Sequence, residues 1–115
     1  MLWRMNPDTD TDIQSDPVLR FFTAAVRRAV GPHLKQVILF GSRARGDATA
    51  DSDYDLLVVM DKVDRAFVHG IDEIAGEALL KYRAVISAFS ISEEDRMKRK
   101  YSPLLINVAR EGVMV

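Results

Sequence analysis

Two acidic residues at the start of an apolar run have the types and spacing that suit chemistry. Asp53 and Asp55 flank Tyr54 directly before the apolar residues 56–60. Residues i and i+2 of a β-strand point to the same face, so both carboxylates are expected on one side of a sheet. Two such acids repel each other unless a cation lies between them, and Mg²⁺ prefers oxygen ligands together with phosphate. The pair therefore predicts metal-assisted chemistry on a nucleotide.

A glycine-rich turn precedes this acid pair. Its sequence, Gly-Ser-Arg-Ala-Arg-Gly, occupies residues 41–46 and is of a size that suits a phosphate group. Gly41 would let the backbone approach a ligand closely, and Ser42 offers a hydroxyl and an N–H group. A polar loop capped by acids at a strand start is the alternative interpretation of the same residues. That alternative loses weight because acids are poor β-formers, and here two of them lead into a strongly apolar run.

The spacing of these residues resembles the signature of the polymerase-β-like nucleotidyltransferases, in particular their minimal nucleotidyltransferase branch. That signature is Gly-Ser, ten residues, then Asp-x-Asp, and Gly41-Ser42 followed by Asp53-Tyr54-Asp55 matches it without a gap. The filling Arg-Ala-Arg-Gly at 43–46 and the ending 102–113 are also similar to the family. The resemblance extends over about residues 18–115, and the motif is far more specific than a lone glycine loop.

The resemblance implies a role for each matching residue. Asp53 and Asp55 would be the catalytic carboxylates that hold one or two Mg²⁺ ions, and ATP is the expected substrate. Gly41 and Ser42 would cradle its phosphates, with further N–H donors from the turn that follows. Arg43 is a candidate ligand of the β- and γ-phosphates because its guanidinium is always charged, and Arg45 is a second candidate. Both arginines are alternatively solvated side chains.

The third carboxylate of the family is missing from the expected place. It normally lies on a later strand beside the first two, and the equivalent stretch 84–91 holds no acid. The matching position falls near Ala84, or at Ser87 if the register slips. Asp61 shares the face of Asp55 but lies about 20 Å further along an extended strand. Asp47 or Asp51 could substitute from the loop.

The rest of the chain predicts a single small α/β (α+β) domain with helices packed on a mixed sheet, and the resemblance implies that this is the polymerase-β-like nucleotidyltransferase fold. Residues 1–16 are expected to be a flexible lead-in, and residues 17–115 the nucleotidyltransferase domain. Apolar periodicity and capping residues predict helices at 17–30, 64–82 and 102–112, and an N-cap at Ser92 with acids at 93–95 that leads into a short basic helix at 96–100. Strands are predicted at 36–40, 54–60 and 84–91, with an edge strand at 113–115.

Composition limits the compartment and the general binding partners. The chain has 115 residues, a net charge of −1 and no cysteine, so disulfides and thiolate zinc sites are excluded. The small net charge gives no general reason to bind nucleic acid or an anionic membrane. No signal peptide and no run of the roughly 18 apolar residues of a membrane span is present. The cytoplasm is the expected compartment.

Three functional hypotheses remain open from the sequence. The first is an Mg²⁺-dependent nucleotidyltransferase that moves AMP from ATP to a protein or small acceptor. The second is a catalytically weak or inactive module that binds a nucleotide or a partner, which the missing acid favours. The third is a structural domain without a site. The resemblance also implies a helical partner of the HEPN type, with this chain as its antitoxin, and a homodimer is the other expected assembly.

Overall fold

The described part of the chain forms one mixed β-sheet with helices packed on both of its faces. The computed structural model describes residues 13–115. In chain order the elements are α1 (Pro17–Val30), a 3₁₀ turn (Gly31–His33), β1 (Leu34–Phe40), α2 (Ser42–Arg45), β2 (Tyr54–Met60), α3 (Arg65–Tyr82), β3 (Ile86–Ser92), α4 (Glu93–Lys98), α5 (Pro103–Glu111) and β4 (Val113–Met114). The predicted α/β class and the predicted order of the long elements are confirmed.

The sheet has the strand order β3-β2-β1-β4. β1 runs antiparallel to β2 and to β4, whereas β2 and β3 are parallel. The prediction that strands 36–40 and 54–60 are neighbours is therefore confirmed, and β2 has the predicted bounds. In this register Phe40, the last residue of β1, lies opposite Asp55. The turn that follows β1 therefore lies next to the start of β2.

The two faces of the sheet bury separate apolar clusters. One face packs against α1 and α3, and its cluster includes Phe22, Leu39, Leu56, Val58 and Ile71. The other face packs against α5, and its cluster contains Ile38, Phe40, Leu57, Val59, Leu105 and Val108. Since side chains alternate along β2, Asp55 lies on the α5 face. A buried strand therefore fixes the side of the sheet on which this carboxylate is presented.

Side chains cap the helix starts as the sequence predicts. Asp64 accepts a hydrogen bond from the Phe67 N–H, and Ser92 accepts one from the Asp95 N–H. Ser102 does the same for α5, which begins with a proline. Such caps satisfy N–H groups that have no partner within the helix. None of the helices within residues 13–115 is both long and apolar enough to span a membrane.

The first helix is tied to the start of β2 by a side-chain pair. Asp16 caps α1 by accepting from the Val18 N–H at 2.8 Å, and its other oxygen accepts from the Tyr54 hydroxyl at 2.7 Å. Burial, followed by the hydrogen bond to Asp16, raises the pKa of Tyr54 to about 12, so the phenol keeps its donor proton at neutral pH. Tyr54 separates Asp53 from Asp55, and the bond therefore anchors the acid pair to the helical layer.

Most of the expected lead-in, residues 1–12, lies outside the described residues. The described end of it is packed, because Ile13 is buried in the cluster beneath α1. Residues 13–15 are helical and lead directly into the Asp16 cap. Core packing therefore begins before residue 17.

The anchor predicts a measurable loss of stability for Tyr54→Phe. This substitution keeps the ring but removes the donor to a carboxylate, so we expect the free energy of unfolding to fall by about 1.5 kcal/mol. Urea denaturation at pH 7 measures it. Tyr101→Phe is the matched control, because Tyr101 is 79% exposed. Equal unfolding midpoints for the two variants would contradict a structural role for the bond.

Candidate active site

The turn after β1 brings the backbone of Gly41 against the Asp55 carboxylate. Gly41 has φ +79° and ψ −161°, a combination that is essentially restricted to glycine. A Cβ atom built on Gly41 would collide with Asp55 Oδ2. Any other residue would thus have a strained backbone and would push the Asp55 carboxylate out of its position. Glycine therefore allows the backbone of the turn to lie directly against the Asp55 carboxylate.

Asp53 and Asp55 lie close enough to influence each other. Asp55 is half-buried near the start of β2, and Asp53 is exposed directly before that strand. Burial raises the pKa of Asp55, and the negative charge of Asp53 raises it further. Both effects disfavour the ionised pair in the absence of a cation. The expected juxtaposition of two carboxylates and the Gly41 turn is therefore present.

Ser42 begins the short helix α2 beside the acid pair. The N–H groups of Ala44 and Arg45 both bond to the Gly41 carbonyl at 3.1 Å, and the Ser42 carbonyl accepts from the Gly46 N–H. The first N–H groups of a helix, those of Ser42 and Arg43 here, have no partner within it. The turn can therefore offer backbone donors next to Asp55.

Arg43 holds the loop that leads to the acid pair. Its Nε donates to the Ser52 carbonyl at 2.9 Å, and its Nη2 lies 3.5 and 3.4 Å from the Thr49 and Ala50 carbonyl oxygens. Its guanidinium carbon is 3.9 Å from the centre of the Tyr54 ring. These contacts fix the chain directly before Asp53. Arg43 therefore supports the site from the loop side in this structure.

Arg45 bonds to two acids, Asp47 and Glu111. The sequence interpretation did not place Glu111 at the site. Its Nε lies 3.2 Å from Asp47 Oδ2 and its Nη1 3.0 Å from Glu111 Oε2. These hydrogen bonds, that with Glu111 first, raise the pKa of Arg45. The other oxygen of Glu111 accepts from the Gly41 N–H at 2.9 Å. Glu111 is therefore a third acid at the site, and its charge also raises the pKa of Asp55.

Pairing of the C-terminal strand brings Glu111 to this place. β4 pairs with β1 so that Val113 lies opposite Leu39 and Met114 opposite Ile38. Continuing this antiparallel register by two residues sets Glu111 opposite Gly41. The sequence held a usable signal, because an edge strand at 113–115 was predicted and its pairing with β1 would have led to Glu111.

The parallel register of β3 corrects the expected position of the missing carboxylate. Ser87 lies opposite Asp55, and paired residues of neighbouring strands share a face. Ala84, the first choice from the sequence, is instead buried in the apolar cluster on the opposite face. The choice of Ala84 was therefore wrong, because counting back from the next helix does not determine the parallel register. Ser87 is the position on β3 that faces the acid pair.

The exclusion of Asp61 is confirmed. Its carboxylate bonds to His33 at the far end of β2, where the His33 Nδ1 lies 2.9 Å from Asp61 Oδ2. The hydrogen bond with His33 lowers the pKa of Asp61. This acid therefore belongs to a local surface pair and takes no part in the site.

The donor set at Asp53 and Asp55 fits a magnesium ion that is completed by substrate. Among residues 13–115 no group of three or more histidine, cysteine or acidic side chains is arranged to hold a metal ion. Mg²⁺ commonly uses only one or two carboxylates together with substrate phosphates and water. Asp53 is exposed and Asp55 is only partly buried, so the oxygens of such ligands can reach both carboxylates. Binding of the metal together with a nucleotide is therefore chemically consistent with this site.

Comparison with known proteins finds a matching family and a related sequence. The sequence model of the family described as "Nucleotidyltransferase domain" matches residues 21–109. A Methanocaldococcus jannaschii protein that carries the name "putative protein adenylyltransferase" is 39% identical over 100 residues, which cover 87% of this chain and 96% of that protein.

Solved structures share the fold. A toxin–antitoxin complex crystallised with AMP-PNP contains a chain that matches with a TM-score of 0.57 and 20% identity, covering 81% of this chain and 68% of that one. A complex of a tri-AMPylated Shewanella oneidensis HEPN toxin with an MNT antitoxin matches with a TM-score of 0.51 and 18% identity, covering 80% of this chain and 64% of that one. At this identity the likeness shows the fold alone, which is that of the polymerase-β-like nucleotidyltransferases.

The raised pKa of Asp55 predicts how stability depends on pH. Just above the ordinary Asp pKa, about 3.9, the native state retains a proton that the unfolded chain has released. The free energy of unfolding therefore falls as pH rises through that range. Asp55→Asn removes this loss, so we expect the variant to be more stable than the wild type at pH 7 but not at pH 3. Urea denaturation across that pH interval measures the difference.

Asp61→Asn is the control for this titration. The pKa of Asp61 is lowered, so its stabilising contribution is present above the ordinary Asp pKa and is lost as pH falls. Asp61→Asn should therefore reduce stability at pH 7, the opposite sign to Asp55→Asn. A pH-independent effect of Asp55→Asn would refute the proposed electrostatic origin.

Proposed function

We propose that this chain, which belongs to the nucleotidyltransferase domain family, transfers AMP from ATP to a hydroxyl group of a protein or small acceptor. The observation that carries the proposal is the approach of the Gly41 backbone to Asp55, which forms a glycine-only turn beside a pair of carboxylates. Phosphoryl-type transfer needs little covalent chemistry from the protein and depends mainly on positioning and charge. These residues supply both.

In the reaction the acceptor oxygen attacks the α-phosphorus of ATP, and a new P–O bond forms. The bond from that phosphorus to the bridging oxygen breaks, pyrophosphate leaves with the bonding electrons, and the acceptor proton passes to solvent or a nearby base. When bound, Mg²⁺ would neutralise the charge that develops on the phosphate oxygens. Asp53 and Asp55 would hold the metal, and Gly41 and Ser42 would receive the phosphates.

The two arginines would contribute differently to nucleotide binding. Arg45 uses its Nε and Nη1 for acids, but a guanidinium carries five N–H donors, so a phosphate oxygen can be added. Arg43 donates from Nε and Nη2 to loop carbonyls and lies over the Tyr54 ring, so it would act on the nucleotide mainly through its charge. We therefore assign the direct phosphate contact to Arg45 and a supporting role to Arg43.

The names of similar proteins support the acceptor and partner that we propose. The M. jannaschii relative is named as a protein adenylyltransferase, and the Shewanella complex contains an AMPylated HEPN toxin bound to its antitoxin. We propose that this chain likewise modifies a helical HEPN-type protein and acts as its antitoxin. A cytoplasmic location, where ATP and such a partner are available, fits this proposal.

A catalytically weak or inactive nucleotide-binding module is the second candidate. The observation that favours it is that Ser87, not an acid, lies opposite Asp55. Asp53 and Asp55 can hold the metal that accompanies a triphosphate, but they would then be occupied by it, and Ser87 cannot serve as the base that accepts the proton of the acceptor. We therefore expect ATP to bind and transfer to be slow in the isolated chain.

ATP binding should depend on Mg²⁺ and on Asp53. We expect calorimetric affinity for ATP to fall by more than about tenfold when EDTA replaces Mg²⁺, and again in Asp53→Asn. The loss of a direct ligand should cost at least as much as the loss of a residue that merely supports one. Asp72→Asn, a neutralisation of an exposed acid on α3, is the control. Equal affinities with Mg²⁺ and with EDTA would contradict the metal site.

A carboxylate at Ser87 should increase the rate of transfer. We expect Ser87→Asp to release pyrophosphate faster from saturating Mg-ATP in a single turnover, by up to about 10²–10⁴, the usual contribution of a general base. Pyrophosphate release counts transfer to any acceptor, including water.

Ser90→Asp is the control for this substitution, because it adds the same charge to β3 on the opposite face. Fast release by the wild type would show that another group already accepts the proton. Unchanged release by Ser87→Asp with ATP binding intact would mean that residue 87 does not reach the reacting groups.

A further inference from the structure

We propose that Glu111 is a positioning residue that holds the nucleotide turn and Arg45 in their working geometry. The proposal rests on the proposed function and adds to it a residue outside the motif of Gly-Ser and Asp-x-Asp. Glu111 is the last residue of α5, distant in sequence from every other member of the site. Its carboxylate contacts both the turn and the arginine, one with each oxygen.

The first contact fixes the strained turn. Glu111 Oε1 accepts from the Gly41 N–H at 2.9 Å, at the point where β1 ends and its ladder with the two-residue strand β4 has already stopped. The side chain thus provides an acceptor that a longer β4 would have provided from its backbone. Removing it would leave a partly buried N–H group without this bond, next to a backbone conformation that needs support.

The second contact orients Arg45. Glu111 Oε2 lies 3.0 Å from Arg45 Nη1, and the Glu111 side chain is 17% exposed, against 62% for Asp47, the other partner of Arg45. The better-shielded partner is the stronger constraint, because exposed ion pairs contribute little. Arg45 is thereby kept near Asp55 instead of turning with Asp47 into solvent.

These two bonds also distinguish Glu111 from a metal ligand or a general base. Both of its oxygens accept hydrogen bonds from the protein. In the described part of the chain it does not combine with Asp53 and Asp55 into a metal-binding group of three. Its effect on nucleotides should therefore pass through Gly41 and Arg45, the groups that face the phosphates.

A purely electrostatic role and a positioning role make opposite predictions for substitutions of Glu111. If Glu111 acted only through its negative charge, Glu111→Gln would strengthen ATP binding and Glu111→Asp would leave it unchanged. If Glu111 is a positioning residue, both variants should weaken ATP binding. Glutamine presents an amide to Arg45 in place of the carboxylate, and aspartate is one methylene too short to reach both partners.

The experiment compares the two variants with Glu77→Gln, a neutralisation on the exposed side of α3. We expect the Kd for Mg-ATP and the KM for ATP in pyrophosphate release to rise by about 10–100-fold in both Glu111 variants, the range found for residues that orient ligands. The control should match the wild type. Tighter ATP binding by Glu111→Gln, or unchanged binding by Glu111→Asp, would overturn the proposal.

A readout without nucleotide separates this proposal from the proposed function. Hydrogen exchange of the Gly41 amide, followed by NMR, should be faster in Glu111→Asp than in the wild type, while Glu111→Gln retains an oxygen for that bond and should exchange more slowly than Glu111→Asp. Unchanged exchange in Glu111→Asp would overturn the positioning role. Absence of Mg-ATP binding in the wild type, with the exchange result as expected, would instead refute the proposed function.

Discussion

The contact between the Gly41 backbone and the Asp55 carboxylate is the constraint on which the rest of the site depends. It requires a residue without Cβ, a positive φ, and two antiparallel strands whose register brings Phe40 opposite Asp55. Burial of β2 on both faces sets that register, since a slip by one residue would move its apolar side chains to the wrong cluster. The apolar core therefore determines the distance between the Gly41 backbone and the Asp55 carboxylate, although neither group is part of that core.

The electrostatics of the site carry a cost in stability. Burial, Asp53 and Glu111 all raise the pKa of Asp55, and the positive charge of Arg45 lowers it. A surface selected for stability alone would not bring these acids together. Strain at the glycine turn and repulsion between the acids are the kind of local conflict that proteins retain at functional sites.

Local patterns in the sequence were sufficient for most of the fold and for the placement of Gly41 beside Asp55. Capping residues located the starts of α1, α4 and α5, and the apolar run defined β2 to the residue. Long-range pairing was the part that they could not supply. A two-residue strand such as β4 has no periodicity, so its partner and hence Glu111 were missed. The prediction that Ala84 faces the acid pair was wrong for a related reason. The register of a parallel pair is determined by the crossover connection and cannot be found by counting within one strand.

The bond between Gly41 and Glu111 joins residues that are 70 positions apart. A bond between residues so far apart in sequence forms only when α5 and β4 are docked on the sheet, and closing a loop of this length carries an entropy cost. Local opening of α5 and β4 would break it while β1 and β2 stay paired through their own ladder. The nucleotide turn would then lose its shape in a molecule that is still largely folded. The ability of the site to bind a nucleotide therefore depends on the docking of α5 and β4. A protein that binds to these two elements would change the conformation of the Gly41 turn without touching it.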